Sequence, residues 1–350
     1  MKSWTKFRDR FIEASLLLMW GQWRALGLET AQDHQPTSVD LEGLLIGTWT
    51  IGRVDPRLFD AALSWCCKEG EVVHQKRLKT LIERVDDEEL STVATAWGRV
   101  VEAHGGSNGW YASDQSLPEE GRSLFLDKQL GEQLENPHEG RVDPHFNAVG
   151  WRRGKFTPRD DIGRPRLRRP ENLQLFCRRF FGMGRRAVVM TPLLYGFELT
   201  TGELEQWTMY SRRSVQSVLQ DLKQAEVLDW DPGRGRTTRA SLTEQFRRGF
   251  QQMLGGDEVP TEWRGRIEAK DWANFYAGLA VLWRAVLTIE QRGYDGFKGQ
   301  SVLQDALQKA YEIQSRMPGG APRRPNLSAN SFDGLIGESI TYVEDLFPAA

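Results

Sequence analysis

The residues best equipped for chemistry lie between positions 211 and 239. Arg212, Arg213, Ser214, Gln216, Ser217, Gln220 and Lys223 occupy the side of a helix left free by Val215, Val218, Leu219 and Leu222. Guanidinium and carboxamide groups read base edges bidentately, arginine on guanine and glutamine on adenine, at about 1–3 kcal/mol of discrimination per good pair. Arg234, Arg236 and Arg239 follow across the Asp231-Pro232-Gly233 turn, placed to meet phosphates or a minor groove. This is recognition chemistry, directed at a polyanion.

Bond-breaking chemistry is sparse by comparison. His104-Gly105-Gly106-Ser107 echoes the Gly-Ser of nucleotidyltransferases, but the carboxylate pair that chemistry needs is absent, with only Asp114 nearby. Glu268 and Lys270 echo a nuclease pair, yet they stand at a helix start. His138 and His145 flank Glu139 and Asp143 without metal-ligand spacing, and there is no CxxC or HExxH. No catalytic residue, metal or cofactor is therefore assigned. Cys66, Cys67 and Cys177 form no disulfide framework, and free buried thiols in a reducing compartment are expected.

The cationic helix needs supporting elements, and its neighbours supply them. Arg185 to Tyr195 reads as a helix stopped by Gly196. Thr200 or Thr201 caps a short helix from Gly202 to Trp207, and Thr208-Met209-Tyr210 forms the turn. Ser211 caps the long helix, 211–225, with its N–H groups open to a phosphate. Short strands at Val227–Trp230 and Thr238–Leu242 then enclose a basic hairpin tip, 231–239.

Over residues 185–243 the stretches ELEQWTMYSRRSVQSVLQDLKQAEVLDW and GRGRTTRASL resemble winged helix-turn-helix bacterial transcription regulators of the MarR and ArsR kind. Ser211, Val215, Leu219, Leu222 and Leu228 match the family's recognition-helix pattern. Glu205 and Met209 depart from it, standing where the family carries a small residue and a glycine. The resemblance implies a DNA-binding regulator whose helix enters the major groove of duplex DNA while the wing lies alongside.

Charge distribution agrees. Residues 151–250 hold 20 Lys and Arg against 11 Asp and Glu, although the whole chain of 350 residues carries only −2. Part of the surplus is an arginine-rich arm, Arg152 to Arg169, suited to phosphates or to solvation as a linker. The flanks read as helical. Phe7 to Trp20 make an amphipathic stripe, followed by helices at 41–50, 56–67, 73–85 and from Asp86 to Gly105. The basic helix His74–Arg84 fits a degenerate helix-turn-helix or, more simply, a bundle. Trp272 to Ile289 carries the strongest helical periodicity, with further helices at 301–316 and 332–347.

The expected fold is mainly α: a helical domain 1–105, an irregular basic-ended linker or mini-domain 106–169, a winged helix-turn-helix 170–255 with a short β-hairpin wing, and a helical C-terminal domain 256–350. Apolar runs fall short of the ~18 residues that span a bilayer, and a cytoplasmic chain is expected. A homodimer joined through the Trp272–Ile289 helix would double the contacts to a palindrome. A protein-interaction or antitoxin-like component that docks a protein partner through the winged helix is the alternative, and an enzyme with an unrecognised site a third.

Overall fold

Capping chemistry sets most helix boundaries. Asp55 accepts N–H bonds from Arg57 and Leu58, with Pro56 in the first helical position. Asp87 does the same for Leu90, Asp271 for Asn274 and Ser331 for Gly334. The computed structural model describes residues 2–29, 37–107, 109–114, 121–131, 141–231, 238–255, 270–317, 322–329 and 331–347.

The fold is mainly α, with 14 α-helices among the described residues. In chain order they begin with α1 (Lys2–Ala25), α2 (Leu41–Trp49), α3 (Pro56–Glu69), α4 (Gln75–Val85), α5 (Glu88–Ala103) and the short α6 (Pro144–Asn147). Next come α7 (Leu173–Phe181), α8 (Arg185–Leu194), α9 (Thr201–Thr208), α10 (Arg212–Gln224) and α11 (Glu244–Gly255). The chain ends with α12 (Trp272–Arg292), α13 (Gly296–Gln314) and α14 (Phe332–Leu346). Strands β1 (Arg122–Ser123) and β2 (Trp151–Arg152) pair in parallel. Strands β3 (Leu199–Thr200), β4 (Leu228–Asp229) and β5 (Arg239–Leu242) form an antiparallel sheet in the order β3-β5-β4.

Two hydrophobic cores organise these elements. The larger takes residues from α1 to α5 and from α12 to α14, so the N- and C-terminal helical segments share one interior. The smaller runs from Leu173 to Leu254 and holds α8 to α11 with the three-stranded sheet. α7 serves both: Leu175 enters the larger core, while Leu173 and Cys177 enter the smaller.

The interior of the larger core explains what the aromatic stripe of α12 is for. Trp272, Phe275, Tyr276, Leu279, Leu282, Trp283, Val286 and Ile289 are all buried, against α2, α4 and α13. Close approach of α2 depends on two glycines. A Cβ on Gly43 would lie 2.7 Å from the Trp272 carbonyl oxygen, and one on Gly47 would lie 2.6 Å from the Tyr276 ring. α12 is long and apolar enough to cross a membrane by length and composition, but the protein itself covers it. The apolar surface of α12, where a homodimer seam is expected, is packed within its own chain.

The described parts of 106–169 pack onto the larger core through Trp110, Leu124, Phe125, Leu126, Phe146, Trp151 and Phe156. Arg153 is buried among the rings of Phe125, Phe146 and Phe156, with its charge met by Asp60 at 2.8 Å. The basic helix α4 lies in the bundle beside α2 and α12. His104 to Ser107 form the stop of α5: Gly105 has φ +81° and the Gly106 N–H donates to the Val101 carbonyl at 2.9 Å. All three cysteines are free thiols, and burial pushes Cys67 and Cys177 up to about 12.

Candidate nucleic-acid interface

Thr200 opens α9 with a reciprocal cap. Its hydroxyl accepts the Glu203 N–H at 3.2 Å, and the Glu203 carboxylate accepts the Thr200 N–H at 2.7 Å. α9 ends at Met209, whose φ of +60° is left-handed. Glycine adopts that conformation freely, whereas a methionine holds it at a cost of about 1–2 kcal/mol. Tyr210 and Ser211 lead directly into α10.

α10 buries Val215, Val218, Leu219 and Leu222. Arg212, Arg213, Gln216, Gln220 and Lys223 are exposed, while Ser214 and Ser217 are half-buried. The amphipathic division expected from spacing is therefore present, with the cationic side outward. Arg239 lies at the start of β5, opposite Thr200 of β3. Leu228 and Asp229 of β4 pair with Leu242 and Ser241. Arg234 and Arg236 lie outside the described residues, as do His138 and Glu268.

Two of the cations are not free. Arg212 stands 3.5 Å from the Glu205 carboxylate, which also accepts the Arg212 backbone N–H at 3.1 Å. Arg239 donates to the Glu198 carbonyl at 2.6 Å and to Glu203 at 3.3 Å. Among the described residues, no carboxylate pairs with Arg213 or Lys223. One expectation needs correcting here. Ser211 holds the N-cap position, but its hydroxyl bonds Ser214 at 3.1 Å and caps no backbone N–H. The helix N-terminus already faces an anion, Glu205, which a phosphate would have to displace.

The α10 unit is fastened to the larger core by a buried polar joint. Arg178 of α7 grips Glu42 of α2 through both nitrogens, at 2.8 and 2.6 Å, and donates to the Val72 carbonyl. Arg77 of α4 reaches Asp40 at 2.6 and 2.5 Å and Glu42 at 2.7 Å. Glu42 also accepts the His74 N–H at 2.8 Å. Burial alone would raise the Glu42 carboxyl, yet Arg178 and Arg77 hold it down to about 2. Next to the interface, the Arg77 guanidinium reaches the Trp207 carbonyl at 3.4 Å, and the Tyr210 hydroxyl meets His74 Nε2 at 2.7 Å.

Nothing in the spacing of Asp40, Glu42, His74, Arg77 and Arg178 announces that they meet. The available signal is Glu42 itself, a carboxylate inside the otherwise apolar LEGLLIGTW, since a charge in such a helix requires a partner. β3 was also unforeseen, because two residues are too few for an alternating pattern. No family model, curated protein or solved structure matches the chain.

Proposed function

We propose that residues 185–243 form a winged helix-turn-helix that binds duplex DNA, with α10 as its recognition helix, and that the chain acts as a DNA-binding transcriptional regulator. The observation that carries the reading is the outward face of α10. Arg212, Arg213, Gln216, Gln220 and Lys223 are exposed together on a helix whose opposite side is locked into the smaller core. Helix, short strand, short helix, left-handed turn, long helix and two antiparallel strands follow in the order that such readers use. Arg213 and Gln216 would address bases, while Lys223 and Arg239 would address phosphates.

A second reading has its own support. Glu205 on Arg212 and Glu203 on Arg239 partly neutralise the same surface. A self-neutralised face suits a protein partner, as in an antitoxin-like component. Anisotropy titration with random-sequence duplex DNA decides between them. For the DNA reading, Arg213→Ala with Lys223→Ala weakens binding about tenfold or more at moderate salt and flattens its salt dependence. Unchanged binding in that variant refutes the recognition-helix assignment, and no duplex binding by the parent chain leaves the protein-docking reading.

A further inference from the structure

The arginine-rich segment before α7 is not a loose linker where it is described. Ile162 and Leu167 pack against the larger core. Gly163 lies against Gly27 so closely that a Cβ on it would sit 2.5 Å from the Gly27 carbonyl oxygen. The Arg169 N–H donates to the Arg166 carbonyl at 3.0 Å, closing a turn. Buried Asn172 then pins that turn, its side-chain amide donating to the Arg166 carbonyl at 3.2 Å and to the Ala25 carbonyl at 2.7 Å.

This fixed backbone presents three exposed guanidiniums, Arg166, Arg168 and Arg169. Four of the arginines nearest in sequence have found carboxylates, although among the described residues Arg152 and Lys155 farther back have not. Arg159 pairs with Asp161, Arg164 with Glu69, Arg178 with Glu42 and Arg179 with Glu71. Among the described residues, no carboxylate pairs with the three on the turn. Three like charges on one four-residue turn repel each other, and a polyanion relieves that repulsion. Guanidinium groups also match phosphate geometry through paired donors.

We propose that the Arg166–Arg169 turn is a second, sequence-independent contact that grips the phosphate backbone of the duplex read by α10. The inference rests on the DNA-binding reading above. Its position supports a shared duplex. The Tyr195 hydroxyl, just past the end of α8, donates to the Pro170 carbonyl beside the turn, whereas Arg186 at the start of α8 reaches Asp221 on α10 at 3.6 Å. α8, ten residues and about 15 Å long, runs between these two contacts.

The test compares the full chain with Arg166→Gln/Arg168→Gln/Arg169→Gln, with the triple lysine variant and with Arg213→Ala/Lys223→Ala. Each is titrated against random-sequence duplex DNA across a salt series. The glutamine variant is expected to lower the log–log salt slope by about two to three, since each lost phosphate contact removes about 0.9. Binding weakens evenly across sequences, and the lysine variant restores the slope. An unchanged slope in the glutamine variant, with the parent chain binding, overturns the turn's role and leaves the α10 reading standing. Loss of binding in the turn variant but not in the α10 variant sinks the recognition helix and, with it, the shared duplex proposed here. If the parent chain binds no duplex at any salt, both fall. A slope change seen with heparin but not with duplex also overturns the proposal.

Discussion

The Tyr210 hydroxyl oxygen lies 2.7 Å from Nε2 of His74, immediately before the candidate recognition helix begins. The other ring nitrogen, Nδ1, accepts the Arg77 N–H at 3.3 Å. The proton therefore belongs on Nε2, which donates to the Tyr210 oxygen. One imidazole thus caps α4 and tethers the entry to α10. Tyr210→Phe removes the tether and is expected to cost about 0.5–1.5 kcal/mol of stability. A urea midpoint that does not fall, at constant slope, would show the bond to be incidental.

The same geometry predicts a pH dependence. Burial holds the His74 ring below its ordinary value, against the pull of Glu42 in the other direction. As pH falls, the unfolded chain takes up this proton before the folded one does. The stability His74 contributes is therefore present above about pH 6.5 and is lost below it, as pH passes the folded value. His74→Asn keeps an N-cap acceptor without a titrating ring. Its stability profile between about pH 7 and pH 5 should be flatter than that of the parent chain. Parallel profiles would assign the acid sensitivity elsewhere.

Glu42 carries the heaviest structural load in the joint. It is fully buried and faces two arginines that are themselves buried. Glu42→Gln leaves that pair of cations under-neutralised in a dry setting. Losses of about 3–5 kcal/mol follow when one partner of such an arrangement is removed. Denaturant unfolding measures the loss directly. A change below about 1 kcal/mol would mean that water reaches Arg178 and Arg77 more easily than the packing implies.

How much of this was legible beforehand depends on the range of the interaction. Local signals read well. Asp55-Pro56 marks the start of α3, and Val215, Val218, Leu219 and Leu222 identify the inner face of α10. Long-range pairing was not legible. The stripe from Trp272 to Ile289 establishes that α12 is covered but not by what, so a second chain and α2 fit it equally well. Likewise, Arg212 is cationic in any sequence reading. Only the left-handed turn at Met209 brings Glu205 onto it. Charge in the sequence is additive, whereas charge on a surface depends on who stands opposite.

Asp271 titrates with the opposite sign to His74. Burial pushes its carboxyl up to about 6, although Arg77 and the Asn274 amides pull it down. The folded chain thus retains a proton that the unfolded chain has lost. The group's contribution is favourable at low pH and is lost as pH rises through about 6. Asp271→Asn keeps an acceptor for the Asn274 N–H and stays neutral. It gives up the bond from the Asn274 side chain, so a gain of about 1–2 kcal/mol is expected at neutral pH, shrinking toward pH 4. Equal stability of the two chains across the whole range would show that the Asp271 carboxylate is better solvated than its burial indicates.

Glu205 offers the sharpest separation of binding from stability. Its carboxylate meets both the backbone N–H and the guanidinium of Arg212, the place the DNA-binding proposal assigns to a phosphate. Glu205→Gln preserves an acceptor and removes the charge. The favourable interaction with the α10 N-terminus weakens, costing about 0.3–1 kcal/mol of stability. Duplex affinity moves the other way, tightening about two- to fivefold as Arg212 is released and the competing anion disappears. Thermal unfolding and duplex anisotropy on the same sample read the two effects independently. If stability and affinity fall together, Glu205 positions Arg212 rather than masking it. A fall in stability with no duplex binding in either chain points instead to a protein partner on this face.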